Sequence, residues 1–204
     1  MKKFIHTCMC LLFVVVGLSC KKSTPNDPNT VTDIDGNVYK TVKIGNQTWM
    51  AENLRTTKYR NGDPIPLIKD AGAWSNLGSG AYQGPFFSDK LEYGNFYNWF
   101  AVSDPRNIAP EGWHVATDAE FTELASFLGG NAIAGNKLKE TGTTHWNNPN
   151  SGTNESGFTA LGNGIVSATD GNIASAWVLT TFTVWANTLA PGTSYPILYA
   201  IGND

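Results

Sequence analysis

The sequence predicts a single α+β domain. Three observations carry this: a β-prone opening punctuated by Asp35-Gly36 and Gly45-Asn46, a strongly capped helix after Thr117, and two more β-prone runs near the end. Long connections rich in Gly, Asn and Pro separate them, and strands do not alternate regularly with helices, so a parallel α/β sheet is not expected. Residues 31–204 are one ordinary domain's length, enough to bury ~70% of the unfolded chain's surface.

The chain begins with Lys2 and Lys3, an apolar run from Cys8 to Leu18, and Ser19-Cys20. A basic start and a short apolar run describe a secretory signal over residues 1–19, since a membrane span needs ~20 apolar residues. Gly17-Leu18-Ser19-Cys20 resembles a bacterial lipobox, with glycine where leucine is usual three residues before the cysteine. The resemblance implies lipidation at Cys20, residues 20–30 as a polar tether, and a lipid-anchored protein of the bacterial envelope, at the outer membrane rather than freely secreted. All three cysteines (Cys8, Cys10, Cys20) precede the domain, which therefore has neither disulfide nor thiol nucleophile. The formal net charge is −3 and no basic cluster occurs, which argues against nucleic acid as a partner.

Within the domain, the two Gly-containing dipeptides divide Thr30–Leu54 into a three-stranded meander. Asp33, Asp35 and Asn37 beside Gly36 invite a calcium-loop reading, but no acidic residue closes a twelve-residue loop, so a hairpin turn is expected. Arg55–Leu91 reads as an irregular excursion pinned by Trp74, Tyr82, Phe86 and Phe87. Phe96, Trp99 and Phe100 stand at helical spacing, with Tyr93 and Tyr97 beside them. Trp113-His114-Val115 reads as a short core strand. Thr117 and Glu120 then form a capping box, and Phe121, Leu124, Ala125 and Leu128 make one apolar stripe ended by Gly129-Gly130. Ala134–Glu140 reads as one further helical turn. It is not a phosphate loop, because Asn136 intrudes before Lys137 and Leu138 stands where a hydroxyl is needed.

Several segments together resemble the Fibrobacter succinogenes major paralogous domain (FISUMP). They are Thr48–Leu54, Tyr93-Gly94 with Tyr97-Asn98-Trp99, Pro110–Val115 with Thr117–Glu120, and Asn154–Leu161, in family order over residues 31–164. The family is common in bacterial lipoproteins and surface proteins. Trp113–Leu124 is also similar to the helix start of formylglycine-generating-enzyme-like domains. That similarity implies a C-type-lectin-like architecture of small twisted antiparallel sheets, two helices and long irregular loops. After Gly164 the sequence departs from the family's usual ending. Trp177–Trp185 and Tyr195–Ile201 read as strands that either replace the missing closure or leave an unpaired edge in a truncated or frame-shifted copy.

Chemistry is sparse. His114 reads as structural, no nucleophile elbow occurs, and cysteine chemistry is impossible without cysteine. A hydrolase would need two facing carboxylates, such as Glu111 and Glu123. The expectation is a non-enzymatic module that binds glycan or another envelope component, against the alternative of a structural or degenerate paralogue. The candidate site is the polar loop of His145, Trp146, Asn147, Asn150, Asn154 and Glu155. Amide oxygens, a carboxylate and a flat ring suit a sugar or calcium. The same residues also suit plain turns, with Trp146 as an anchor.

Overall fold

The computed structural model describes residues 27–85, 90–166 and 177–203. The signal segment, Cys20, most of the tether, Phe86 and Phe87 lie outside the described residues. The expected meander forms from β1 (Thr30–Thr32), β2 (Val38–Ile44) and β3 (Gln47–Met50), antiparallel in that order. Thr30 stands opposite Lys40, and Ile44 opposite Gln47. Gly45 takes φ +61°, and a Cβ there would meet the Phe127 ring at 2.9 Å, so both conformation and space require glycine. Asp33 fastens the first turn. Its buried carboxylate accepts from the Asp35 and Asn37 N–H groups, the Asn37 amide and the Tyr39 hydroxyl (2.6 Å), which is the hairpin arrangement and not a metal loop.

The excursion contains α1 (Ala71–Ser75), capped by Asp70 and burying Trp74, and β4 (Tyr82–Gln83). β4 pairs with β5 (Phe96–Tyr97), so Phe96 lies on a strand and not on the helical face its spacing suggested. Asn98 explains the difference. Its side chain accepts from Ala101 N–H and starts α2 (Trp99–Val102) only after Phe96 has passed, an Asx cap that outweighs ring periodicity. Gly94 brings the two segments close: a Cβ there would fall 2.6 Å from both Asn53 Cβ and Leu54 O.

The central helix, α3 (Asp118–Phe127), has the predicted capping box: Thr117 Oγ1 accepts from Glu120 N–H, and Glu120 Oε2 accepts from Thr117 N–H at 2.7 Å. Phe121, Leu124 and Leu128 are buried with Ile44, Trp49, Ala134, Leu138 and Ala186, and Ala125 packs at their edge. α4 (Asn131–Leu138) starts earlier and runs longer than the expected turn. The described residues thus hold four α-helices where two were expected, although α1 and α2 are single turns.

The chain ends in a hairpin of β6 (Thr181–Leu189) and β7 (Pro196–Gly202), shifted by a few residues from the expected strands. One face carries Val184, Ala186, Ile197, Tyr199 and Ile201 onto α3. Tyr199 stacks on Phe121 with centroids 4.5 Å apart, and its hydroxyl donates to Asp118 Oδ1 at 2.7 Å. Trp185, on the opposite face, donates from Nε1 to the Tyr97 carbonyl (2.9 Å) and packs against Trp99. The unusual ending therefore completes the core on one side and meets α2 on the other.

Candidate functional site

The Asn-rich loop is built inward. Trp146 has no exposed surface; it packs with Ala160 and Phe182 and donates from Nε1 to the Ala160 carbonyl at 2.9 Å. It offers no ring face to a ligand, because the loop folds over it, and so the anchor reading describes it. Asn150 donates to the carbonyls of Glu140 and Gly142 and accepts from Gly152 N–H. Asn154, at φ +49°, exchanges two hydrogen bonds with Thr159. These amides make the loop's own turns, as asparagine does when its side chain stands in for backbone. Asn147 is exposed, while its N–H binds the Leu179 carbonyl. Glu155 is exposed and lies 3.5 Å from Lys137 Nζ. His145 sits beneath, with Nδ1 2.8 Å from Glu140 Oε2, Nε2 3.5 Å from Glu92 Oε1, and its ring edge-on to Tyr93. Among the described residues no group of three or more His, Cys, Asp or Glu side chains is placed to hold a metal ion.

A different site is built from sequence-distant segments. A cleft of about 1150 Å³ opens between β3, the β5–α2 segment, the turn at 108–116 and the β6–β7 hairpin. Small-molecule sites run to ~300–1,000 Å³, so the cleft has room for an extended ligand. Trp49 lies at its floor, tilted against Phe121 (5.2 Å) and edge-on to Phe158 (5.9 Å). Trp99 and Trp185, 5.9 Å apart, form one wall. Trp113 stands on another. Its position is set by Arg60, whose guanidinium donates to the carbonyls of Ala109, Pro110 and Trp113 and so clamps the turn that carries it. Phe100 is 47% exposed at the lip.

Polar groups lie among the rings, including Glu52, Asn53, His114, Glu120 and Thr183. His114 is not a core strand residue: its side chain is 60% exposed, and Nε2 lies 2.8 Å from Glu120 Oε1. The segment before α3 belongs to no described strand, and this side chain turns outward. Burial works against charge on Glu120, but hydrogen bonds from Thr117 and from His114 outweigh it and hold its pKa below the usual carboxylate value. Glu120 is therefore an anion at neutral pH. Arg60, Trp49, Trp99, Trp113 and Trp185 share no sequence signal beyond the chain's seven tryptophans in 204 residues, each in a different local context.

Small antiparallel sheets, a capped central helix pair and an aromatic cleft between loops define a loop-rich α+β domain. The chain belongs to the family described as the Fibrobacter succinogenes major domain, whose model matches residues 42–194. The match continues past Gly164, so the residues that differ from the family's usual ending lie largely within its span. Membership suggests a paralogous envelope or surface domain. No curated protein and no solved structure matches the chain. Among the described residues no helix is long and apolar enough to cross a membrane.

Proposed function

We propose that this chain is a non-enzymatic module of the bacterial envelope, lipid-anchored through Cys20 at the outer membrane, that binds a glycan in the aromatic cleft. The Asn-rich loop is then part of the scaffold. The observation that carries the reading is the set of tryptophans around a cleft of about 1150 Å³, with carboxylate, amide and hydroxyl groups among them. Sugar rings present apolar C–H faces and hydroxyl edges, and such a surface can meet both. The arrangement of small sheets, the α3–α4 pair and long loops suits a C-type-lectin-like plan. Calcium is not needed by this reading.

Several features support a binding role over hydrolysis. Glu111 and Glu123 do not line the cleft, and Glu111 is exposed near Arg60. Of the cleft carboxylates, Glu52 accepts from Lys40 N–H, and Glu120 is engaged by Thr117 and His114, which hold it ionised.

Titration with soluble envelope oligosaccharides, followed by tryptophan fluorescence, tests the proposal. Trp113→Ala should weaken saturable binding roughly tenfold, ~1.4 kcal/mol, with an unchanged melt. Phe100→Ala should weaken it less. Absence of saturable binding, or binding indifferent to both substitutions, would refute the cleft as the site.

A further inference from the structure

β7 pairs with β6 along one side only, and no described strand lies beside its other edge. The groups on that edge follow from the phase of the ladder. Asn203 N–H donates to the Thr180 carbonyl at 2.7 Å, one step beyond the Thr181–Gly202 pair. Bonded and non-bonded pairs alternate in an antiparallel ladder. Ile197, Tyr199 and Ile201 therefore bond to β6, while Leu198, Ala200 and Gly202 direct N–H and C=O away from it. The far side of β6 obeys the same phase, with Thr183 N–H on Asn163 Oδ1 and Asn187 N–H on the Ala116 carbonyl.

Of the outward groups on β7, the Gly202 carbonyl lies 3.5 Å from Lys139 Nζ. Leu198 and Ala200 are exposed, and among the described residues their outward N–H and C=O groups have no partner. Natural edge strands are usually blunted by charge, proline, a bulge or a cover. Pro196-Ile-Leu-Tyr-Ala-Ile-Gly202 has no charge, its proline is at the first position, and the register shift between Ala186 and Leu189 lies on β6.

The geometry points to a second copy of this chain as the partner, β7 against β7, antiparallel about a two-fold axis at Tyr199. In this register Leu198 of each copy exchanges main-chain bonds with Ala200 of the other. One step out, Pro196 meets Gly202. Pro196 has no N–H to give, and the Gly202 carbonyl opposite is already held by Lys139, while Gly202 N–H can reach the Pro196 carbonyl. The missing donor thus opposes the satisfied acceptor. Sliding two residues one way sets Pro196 against the open Ala200 carbonyl and leaves it unpaired. Sliding the other way asks the Gly202 carbonyl for a second donor. An uncharged edge also brings no like charges together across the axis, which suits self-pairing.

Sedimentation velocity of the full chain in detergent, as wild type, Ala200→Pro and Ala200→Lys, tests this. Ala200 N–H points away from β6, so proline there removes no bond within the chain but two per dimer. The wild type should be a dimer that dissociates on dilution. Ala200→Pro should raise its Kd roughly 30-fold, and Ala200→Lys should give monomer with an unchanged melt. If Ala200→Pro fails to fold, Ala200→Lys, which leaves the backbone intact, decides. A wild type that is monomeric at its highest soluble concentration overturns the inference, as does a dimer that both variants leave unchanged.

Discussion

Trp146→Ala separates an anchor from a ligand contact. The ring is fully buried, so truncation removes an indole from contact with Ala160 and Phe182. Large-to-small changes of this kind cost ~3–5 kcal/mol, since the surroundings only partly collapse. The Ala160 carbonyl loses one donor but keeps the Glu140 N–H at 3.1 Å, which limits that part to ~1 kcal/mol. The buried Lys139 ammonium, 5.4 Å from the ring centroid, loses the aromatic face it lies over. The whole should be ~4–5 kcal/mol, a large part of the ~5–15 kcal/mol that stabilises an ordinary domain. Equilibrium urea unfolding should show a much lower midpoint at similar slope, and the melting temperature should fall by ~10 °C or more. Trp146→Phe, which keeps most of the volume but loses the N–H, should cost ~1–2 kcal/mol. A Trp146→Ala variant of nearly wild-type stability that no longer binds oligosaccharide would refute the reasoning and return the site to the loop.

Other expectations are more local. Thr117→Ala should cost ~1 kcal/mol in chemical denaturation, because Glu120 N–H loses its acceptor at the start of α3. Gly94→Ala should cost more than ~2 kcal/mol by the same measurement: its φ is +67°, and the added carbon would strike Asn53 and Leu54. Asp35 gives a pH dependence. Burial raises its pKa, but the Thr57 N–H, the Lys58 ammonium and the Thr57 and Thr56 hydroxyls outweigh this and lower it from 3.8 to about 2. A carboxylate depressed on folding adds stability that is fully present above its unfolded pKa and lost as pH falls through its folded one. Denaturation midpoints should therefore decline between 3.8 and about 2, and Asp35→Asn should flatten that decline; an unchanged slope would discount the Asp35 contacts.

The parts of the fold readable in advance were those whose causes lie within a few residues. Thr117 and Glu120 cap each other across three positions, and the turns at Asp35-Gly36 and Gly45-Asn46 are made by residues close in sequence, Asp33 fastening the first. Phe96 was misleading because its partner, Gln83, comes from another segment, and cross-strand pairing overrode helical spacing. The neighbours Trp113 and Val115 suggest an interior place for His114, yet its side chain is 60% exposed and paired with Glu120. The cleft was illegible for a related reason: its tryptophans, at 49, 74, 99, 113 and 185, meet only once the chain has folded. The Asn-rich loop showed the reverse. Its composition was plain, but whether amides face solvent or their own backbone depends on turn geometry that composition does not fix.

The position of β6 has a consequence for biogenesis. Ala186 belongs to the principal core, and the Trp185 indole reaches the Tyr97 carbonyl across 88 positions of chain. A ribosome releasing this polypeptide from its N-terminus delivers β3, α3 and α4 well before the strand they pack against. Until β6 and β7 emerge, Trp49, Phe121 and Leu124 lack part of their cover. Folding of this core is thereby postponed until β6 has emerged, and a premature stop before Thr181 leaves an apolar surface for proteases to find.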